Sequence, residues 1–293
     1  MAANVNTLIA RLHELEEENA RLKSLLAKHG IPHEAERQDG ATIASQPSET
    51  NRLSLQEKVR LFQNLFKGRE DVFAKRWYSN LTGQSGYQPV CEREWNRDYC
   101  DKRKYKCAEC PNRQFASLTY EHVYDHLAGK DEFGRDVIGL YPVLQDNTCC
   151  FLCTDFDDKN CEHGYQDDVL AFVDVCKSWS VPYSIERSRS GNGVHIWIFF
   201  ESPVLAVKAR KLGNAILTEA MNRDGKIGFK SYDRFFPNQD TLPEGGLGNL
   251  VALPLQGNAR KNGNCVFVNE FFEPYPKALY PAFAYTAKPK FPR

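Results

Sequence analysis

The chain has 293 residues, and 38 Lys and Arg balance 38 Asp and Glu to a formal net charge of zero. Hydrophobic residues make up 42% and aromatic residues 12%, enough to bury a core and to exclude global disorder. The balance also excludes a uniformly basic nucleic-acid coat, so a polyanion would be held by local charge or through metal ions.

Residues 1–32 read as a coiled coil. Val5, Leu12, Asn19 and Leu26 fall at a positions, and Leu8, Leu15 and Leu22 at d. A buried Asn at an a position favours a parallel dimer in fixed register. Arg11 would face Glu16, and Glu18 would face Lys23, of a partner chain. Three heptads are short, so the expected homodimer through residues 5–26 is weak. The alternative is a lone amphipathic helix packed on its own domain. Residues 33–53 are polar, with Gly40 and Pro47, and read as a flexible linker. No run of about 18 apolar residues is present, and no signal-peptide stretch opens the chain, so no membrane span and a cytoplasmic location are expected.

Folded structure is expected from Ser54, which with Glu57 forms a capping-box pattern. The following helix carries Leu55, Val59, Phe62, Leu65 and Phe66 inward and stops at Gly68. A second helical stretch is expected from Arg69 to Asn80. Next come Cys91, Cys100, Cys107 and Cys110, ending in a CxxC. Without a secretory signal, metal is a better reading than disulfides, and four thiolates make a closed, structural zinc site. The loop is rich in cations, with Arg103 and Lys104 among them, and carries Tyr99 and Tyr105, which suits a nucleic-acid contact. Four free thiols are the alternative. A second metal at Cys150, Cys153, Cys161 and His163 is a weaker reading.

From Asn147 strands and helices alternate. Strands are expected at Cys149–Phe156, Tyr183–Arg187, Val194–Phe200, around Asp233, at Asn249–Leu253 and at Cys265–Val268. A helix is expected at Asp167–Trp179, and another from Ser202-Pro203 to about Asn222. In the first strand Asp155 and Asp157 point to the same face, because strand side chains alternate. Adjacent carboxylates repel one another, and a divalent cation such as Mg²⁺ or Mn²⁺ relieves that repulsion. A polar strand end capping the next helix is the bland alternative. Ser190-Gly191-Asn192-Gly193 then leads into a strand bearing His195. Backbone N–H groups of such a turn can hold phosphate, and His195 could donate to a triphosphate, assisted by Arg187 and Arg189. An ordinary hairpin with a solvated His is the alternative. Asp233 or Asp240 could supply a third carboxylate, and spacing alone does not choose.

Taken together, Thr154-Asp155-Phe156-Asp157, then Ser190-Gly191-Asn192-Gly193-Val194-His195, then a late Asp before Asn249-Leu250-Val251-Ala252-Leu253-Pro254 resemble archaeo-eukaryotic primases. Gly139–Leu144, Phe236–Asp240 and Ala259–Asn264 narrow the likeness to the primase domain of TOTE conflict systems, over roughly Ser54 to Tyr285. The resemblance implies an α+β fold. Its catalytic core would be an RRM-like antiparallel sheet with helices on one face (149–293), joined to an N-terminal α/β unit with the zinc loop at 91–113 (54–148). It implies template-directed nucleotidyl transfer to a 3′-OH by a DNA primase/polymerase, with a role in defence against mobile elements. Asp155, Asp157 and Asp233 would hold Mg²⁺ or Mn²⁺, with Asp240 as runner-up to Asp233. His195, Ser190, Gly191, Arg187 and Lys230 would meet the nucleoside triphosphate. Arg260 and Lys261 would hold template or primer DNA, with RNA as an alternative, and a helicase partner is implied. The family pattern offers no role for Cys161-Glu162-His163. An inactive zinc-stabilised adaptor and a metal-dependent nuclease are the rival readings. The neutral total also hides opposed segments: residues 149–186 carry 2 basic and 8 acidic residues, and 187–293 carry 15 and 8.

Overall fold

The computed structural model describes residues 53–158 and 164–275, together with Glu17, Glu18, Ala20, Arg21, Ser24 and Lys28, all helical. The chain divides into two units, Met1–Arg52 and Leu53–Arg293. The a and d residues of the coiled-coil reading, the linker before Leu53, and Cys161 and His163 lie outside the described residues.

The larger unit opens with α1 (Leu55–Leu65). Ser54 Oγ accepts from the Glu57 N–H at 3.2 Å, and Glu57 Oε2 accepts from the Ser54 N–H at 2.7 Å. Val59 and Phe62 face inward, as their spacing requires. The helix ends on Phe66, not on a left-handed glycine at Gly68. Gly68 instead permits close packing, since a Cβ there would lie 2.6 Å from the Tyr141 carbonyl oxygen.

The stretch from Arg69 to Asn80 is not the expected helix. Its core is β1 (Ala74–Tyr78), which pairs antiparallel with β2 (Ser85–Pro89). Three consecutive residues, Val72, Phe73 and Ala74, are fully buried, a pattern that one face of a helix cannot give. Ser79 to Gln84 closes the hairpin, with Gly83 in the left-handed region at φ 68°. A helix, α2 (Tyr120–Ala128), follows the cysteine loop. Strand β3 (Ile138–Leu140) then joins β1, and β8 (Val251–Ala252), much later in the chain, completes a four-stranded sheet in the order β2-β1-β3-β8. The chain therefore returns to its first sheet before the last strand of the second is laid down, and a split at residue 148 does not follow the sheets.

The second sheet is antiparallel, in the order β7-β4-β6-β5-β9. Its strands are β4 (Thr148–Asp157), β5 (Ser184–Arg187), β6 (Gly193–Leu205), β7 (Tyr232–Phe236) and β9 (Val266–Val268). Helix α3 (Gln166–Ser178) connects β4 to β5, and α4 (Ala206–Arg223) connects β6 to β7. The expected helix start at Ser202-Pro203 is corrected here: Val204 and Leu205 still pair with Cys149 and Thr148, so the ladder keeps the segment extended up to α4. The short helix α5 (Gly257–Lys261) precedes β9.

The two faces of this sheet do different work. Leu152, Phe156, Val194, Ile196, Ile198 and Phe235 pack with α3 and α4 residues such as Phe172, Val173 and Ile216. On the other face Phe151, Cys153, Trp197, Phe199, Phe236 and Phe267 pack with Val59, Phe62 and Phe66 of α1 and with the first sheet. Trp197 and Phe199 stack with centroids 6.0 Å apart, and Phe66 meets both edge-on. This aromatic row ends where Asp155 follows Cys153 and where His195 precedes Trp197. Among the described residues no helix is long and apolar enough to cross a membrane.

Candidate active site

The polar end of that face is built strand by strand. Asp155 lies opposite His195 of β6 and opposite Arg234 of β7. His195 lies opposite Glu186 of β5. Directly opposed residues of an antiparallel pair share a face, so Arg234, Asp155, His195 and Glu186 form one row across four strands. Asp157, two residues beyond Asp155, pairs with Gly193 at the mouth of the hairpin.

The third carboxylate joins through an irregularity. Asp155 pairs with Arg234 but Phe156 pairs with Tyr232, which leaves Asp233 as the extra residue of a bulge. Bulges re-aim side chains that strict alternation would send to the opposite face. The Asp233 carboxylate accepts from Arg234 Nε at 2.7 Å, on the Asp155 side of the sheet. Burial lifts the Asp155 carboxyl above the usual carboxylate range, His195 opposes the rise, and Asp233 and Asp157 add to it. Asp155, Asp157 and Asp233 are thus one electrostatic group. Asp240 is elsewhere, paired with Arg210 of α4.

His195 is clamped between two acids. Its Nδ1 is 2.7 Å from Glu186 Oε2, and its Nε2 is 3.5 Å from Asp155 Oδ1. Burial pulls the imidazole down, but the carboxylates, Glu186 foremost, outweigh it and raise the ring to about 9. At neutral pH it is an imidazolium, with Nδ1–H donating to Glu186. Glu186 is 1% exposed and also accepts from Trp197 Nε1 at 3.1 Å. The expectations did not include Glu186. A hairpin centred on Ser190-Gly191 pairs residue 186 with 195, so counting back from the turn would have found it.

The turn itself is held tightly. Gly191 has φ 82°, and a Cβ at Gly193 would lie 2.3 Å from the Phe156 carbonyl oxygen, so only glycine lets β6 start this close to β4. Ser190 Oγ accepts from the Asn192 N–H at 3.3 Å. Arg187 does not join the row. Alternation puts it on the face away from Glu186, and it donates to the carbonyls of Gly263 and Phe272. Its expected triphosphate contact is corrected on that ground. Lys230 is exposed in the turn before β7, next to Ser231, whose carbonyl accepts from the Asp157 N–H at 2.7 Å.

The remaining basic candidates stand apart from the carboxylates. Arg260 donates to the Leu127 carbonyl, which ties α5 to α2, and Lys261 Nζ donates to Asn258 Oδ1. Arg103 and Lys104 are exposed on the cysteine loop. Cys91, Cys100, Cys107 and Cys110 are half-buried free thiols that line one small pocket, with Glu94, Lys102 and Arg113. Burial raises the Cys107 thiol, Lys102 lowers it, and Glu94, Cys100 and Cys91 raise it further. Cys150 and Cys153 are buried in β4. Among the described residues no group of three or more His, Cys, Asp or Glu side chains is already arranged as a metal site.

A family model described as "TOTE conflict system, Archaeo-Eukaryotic Primase domain" matches residues 57–283. The chain belongs to this primase family. No curated protein matches the chain. The match spans both sheets and every residue of the acidic row, and it bears out the likeness carried by the aspartate pair and the glycine turn. Family membership points to a primase- or polymerase-type nucleotidyltransferase acting on nucleic acid and nucleoside triphosphates.

Proposed function

We propose that the chain is a metal-dependent DNA primase/polymerase. The observation that carries this is the convergence of Asp155, Asp157 and Asp233 beside a cationic His195 at the open end of an otherwise apolar face. The β4-α3-β5-β6-α4-β7 order, with β7-β4-β6-β5 side by side, is the topology expected of an RRM-like catalytic core.

The three carboxylates suit a hard divalent cation, because Asp233 and Asp157 raise the cost of charge on the buried Asp155 and all present oxygen. Bound Mg²⁺ or Mn²⁺ would lower the pKa of an attacking 3′-hydroxyl and stabilise a pyrophosphate leaving group. The chain's own groups do the rest. Glu186 fixes the ring of His195 and balances its charge, which leaves the Nε2 side turned toward the carboxylates. There the imidazolium can bind phosphate oxygens that the aspartates alone would repel. Gly191 and Gly193 let the backbone of the turn approach the same ligand, with Ser190 shaping its rim. Lys230, exposed in the turn before β7, would add a cation for the polyphosphate. The cysteine loop would be held by zinc, and its exposed Arg103 and Lys104, with Arg260 and Lys261, would contact template or primer. Defence against mobile elements and a helicase partner belong to the same reading.

The test separates polymerase from nuclease with one labelled, primed strand. In Mn²⁺ or Mg²⁺ the strand lengthens only when nucleoside triphosphates are added. Shortening without nucleotides would make the same aspartates those of a nuclease.

A further inference from the structure

Beside the acidic row lies a pocket of opposite character. It is lined by Arg76 of β1, by Arg189 just before the glycine turn, and by the amides of Gln256, Asn258, Asn262 and Asn264, with Glu132 as its one lining carboxylate. We propose that this pocket is a phosphate-binding site in which Arg76 and Arg189 are the two anion-binding cations.

The two arginines come from parts of the chain more than a hundred residues apart, and the fold brings them together. Tyr87 lies directly opposite Arg76 in the β1–β2 ladder; burial raises its hydroxyl, and Arg189 and Arg76 both draw it down, so the two cations share it as a neighbour. Among the described residues neither arginine makes an ion pair. Arg76 makes a hydrogen bond to the Phe133 carbonyl and lies over the Tyr78 ring at 5.6 Å, contacts that orient the guanidinium without neutralising it. Burial and then the charge of Arg189 weaken its hold on its proton, while Tyr87, Tyr78 and Asp131 oppose this. Two guanidiniums converging in a half-buried place repel each other, and a phosphate relieves that repulsion while accepting from both planar forks. Gln256 and Asn258 already donate to the Asp136 carboxylate and the Asp131 carbonyl, so Asn262 and Asn264 are the amides that offer further donors.

The pocket also adjoins the acidic row. The Cys265 N–H donates to the carbonyl of Ser188, the residue before Arg189, at 3.4 Å, and Gly191 packs on Asn264, where a Cβ would lie 2.9 Å from Oδ1. The existence of the site does not depend on the nucleotidyl-transfer reading, but the choice of ligand rests on it. The phosphate could be the polyphosphate tail of a nucleotide. It could equally belong to a nucleic-acid strand, since Phe133 stacks on Tyr78 at 5.5 Å and carries Arg135 over its ring at 4.9 Å, extending an aromatic, cationic strip outward.

The test uses the full chain with its zinc retained and with no Mg²⁺, Mn²⁺ or nucleotide present, so that neither a metal at the carboxylates nor catalysis contributes. Inorganic tripolyphosphate and a single-stranded thymidine oligonucleotide are titrated by calorimetry into wild type, Arg76→Gln and Arg189→Gln. Each variant is expected to weaken one or both probes by about tenfold or more, as loss of a charge-assisted hydrogen bond does. Loss confined to tripolyphosphate identifies the nucleotide tail, and loss confined to the oligonucleotide identifies the strand; either upholds the site. Binding of both probes within twofold of wild type, or no binding by wild type, overturns it. If a glutamine variant fails to fold, Arg76→Lys and Arg189→Lys keep the charge without the fork, and each should show a smaller but measurable loss. Wild-type levels in both lysine variants would likewise overturn the site. Primer extension is scored separately, so failure of the polymerase reading leaves this outcome legible.

Discussion

At the residue scale the acidic row depends on one extra residue in β7. Spacing alone left Asp233 and Asp240 equal as the third carboxylate. The bulge separates them, turning Asp233 toward Asp155 while Arg210 holds Asp240. Asp233→Asn should therefore lower nucleotide addition about 100-fold or more, as loss of a metal-binding acid does. Asp240→Asn should stay within about threefold, and single-turnover rates on a primed template compare the two. The reverse order would move the third acid to Asp240. Glu186 supports a second expectation at this scale. Glu186→Gln keeps an acceptor for Trp197 but removes the charge that balances His195. The imidazole should then titrate below its present value of about 9, followed by NMR, with nucleotide addition falling about tenfold or more. An unchanged titration would show that Glu186 only fills space.

At the element scale the long, strongly patterned segments were legible in the sequence. Helix α1 begins at its capping box because Ser54 and Glu57 are local signals that need no tertiary partner. The apolar run of β4 and the Gly-rich start of β6 were legible for the same reason. The segment around Ala74 misled, since Val72, Phe73 and Trp77 look amphipathic until the hairpin turn at Gly83 is weighed. Ser202-Pro203 misled because an X-Pro signal for a helix start cannot show that β4 still has partners to offer. Arg187 misled because a basic residue near a phosphate-binding turn says nothing of which face it takes, whereas the strand period does. His126 of α2 yields a further expectation. It is fully buried, its Nε2–H donates to the Pro254 carbonyl at 2.8 Å, and its Nδ1 accepts from the Ile138 N–H at 3.3 Å. Burial lowers it to about 4. The native state therefore binds fewer protons than the unfolded chain between that value and about 6.5. Stability should be full above pH 6.5 and fall by roughly 3 kcal/mol as pH drops toward 4. Denaturation at pH 7 and pH 5 should show a smaller loss for His126→Gln than for wild type. Equal losses would mean that His126 does not carry this pH dependence.

At the scale of the whole molecule, two sheets share one apolar layer, and the acidic row opens at its edge beside the arginine pocket. That would let a chain of zero net charge hold a polyanion: the segment bearing Asp155 and Asp157 is acidic, and the segment bearing the turn, Asp233 and the later strands is basic. Interaction with nucleic acid should therefore depend on divalent metal as well as on salt. The coiled-coil reading of residues 5–26 makes an independent prediction. Light scattering at tens of micromolar should give a dimer mass that falls to the monomer on deletion of residues 1–32, and an equal mass for both would remove that reading. The most direct measurement of the central claim is primer extension in Mn²⁺ by wild type beside Asp155→Ala combined with Asp157→Ala. The predicted result is template-directed lengthening by wild type and none by the double variant. No product from wild type, or equal product from both, would contradict it.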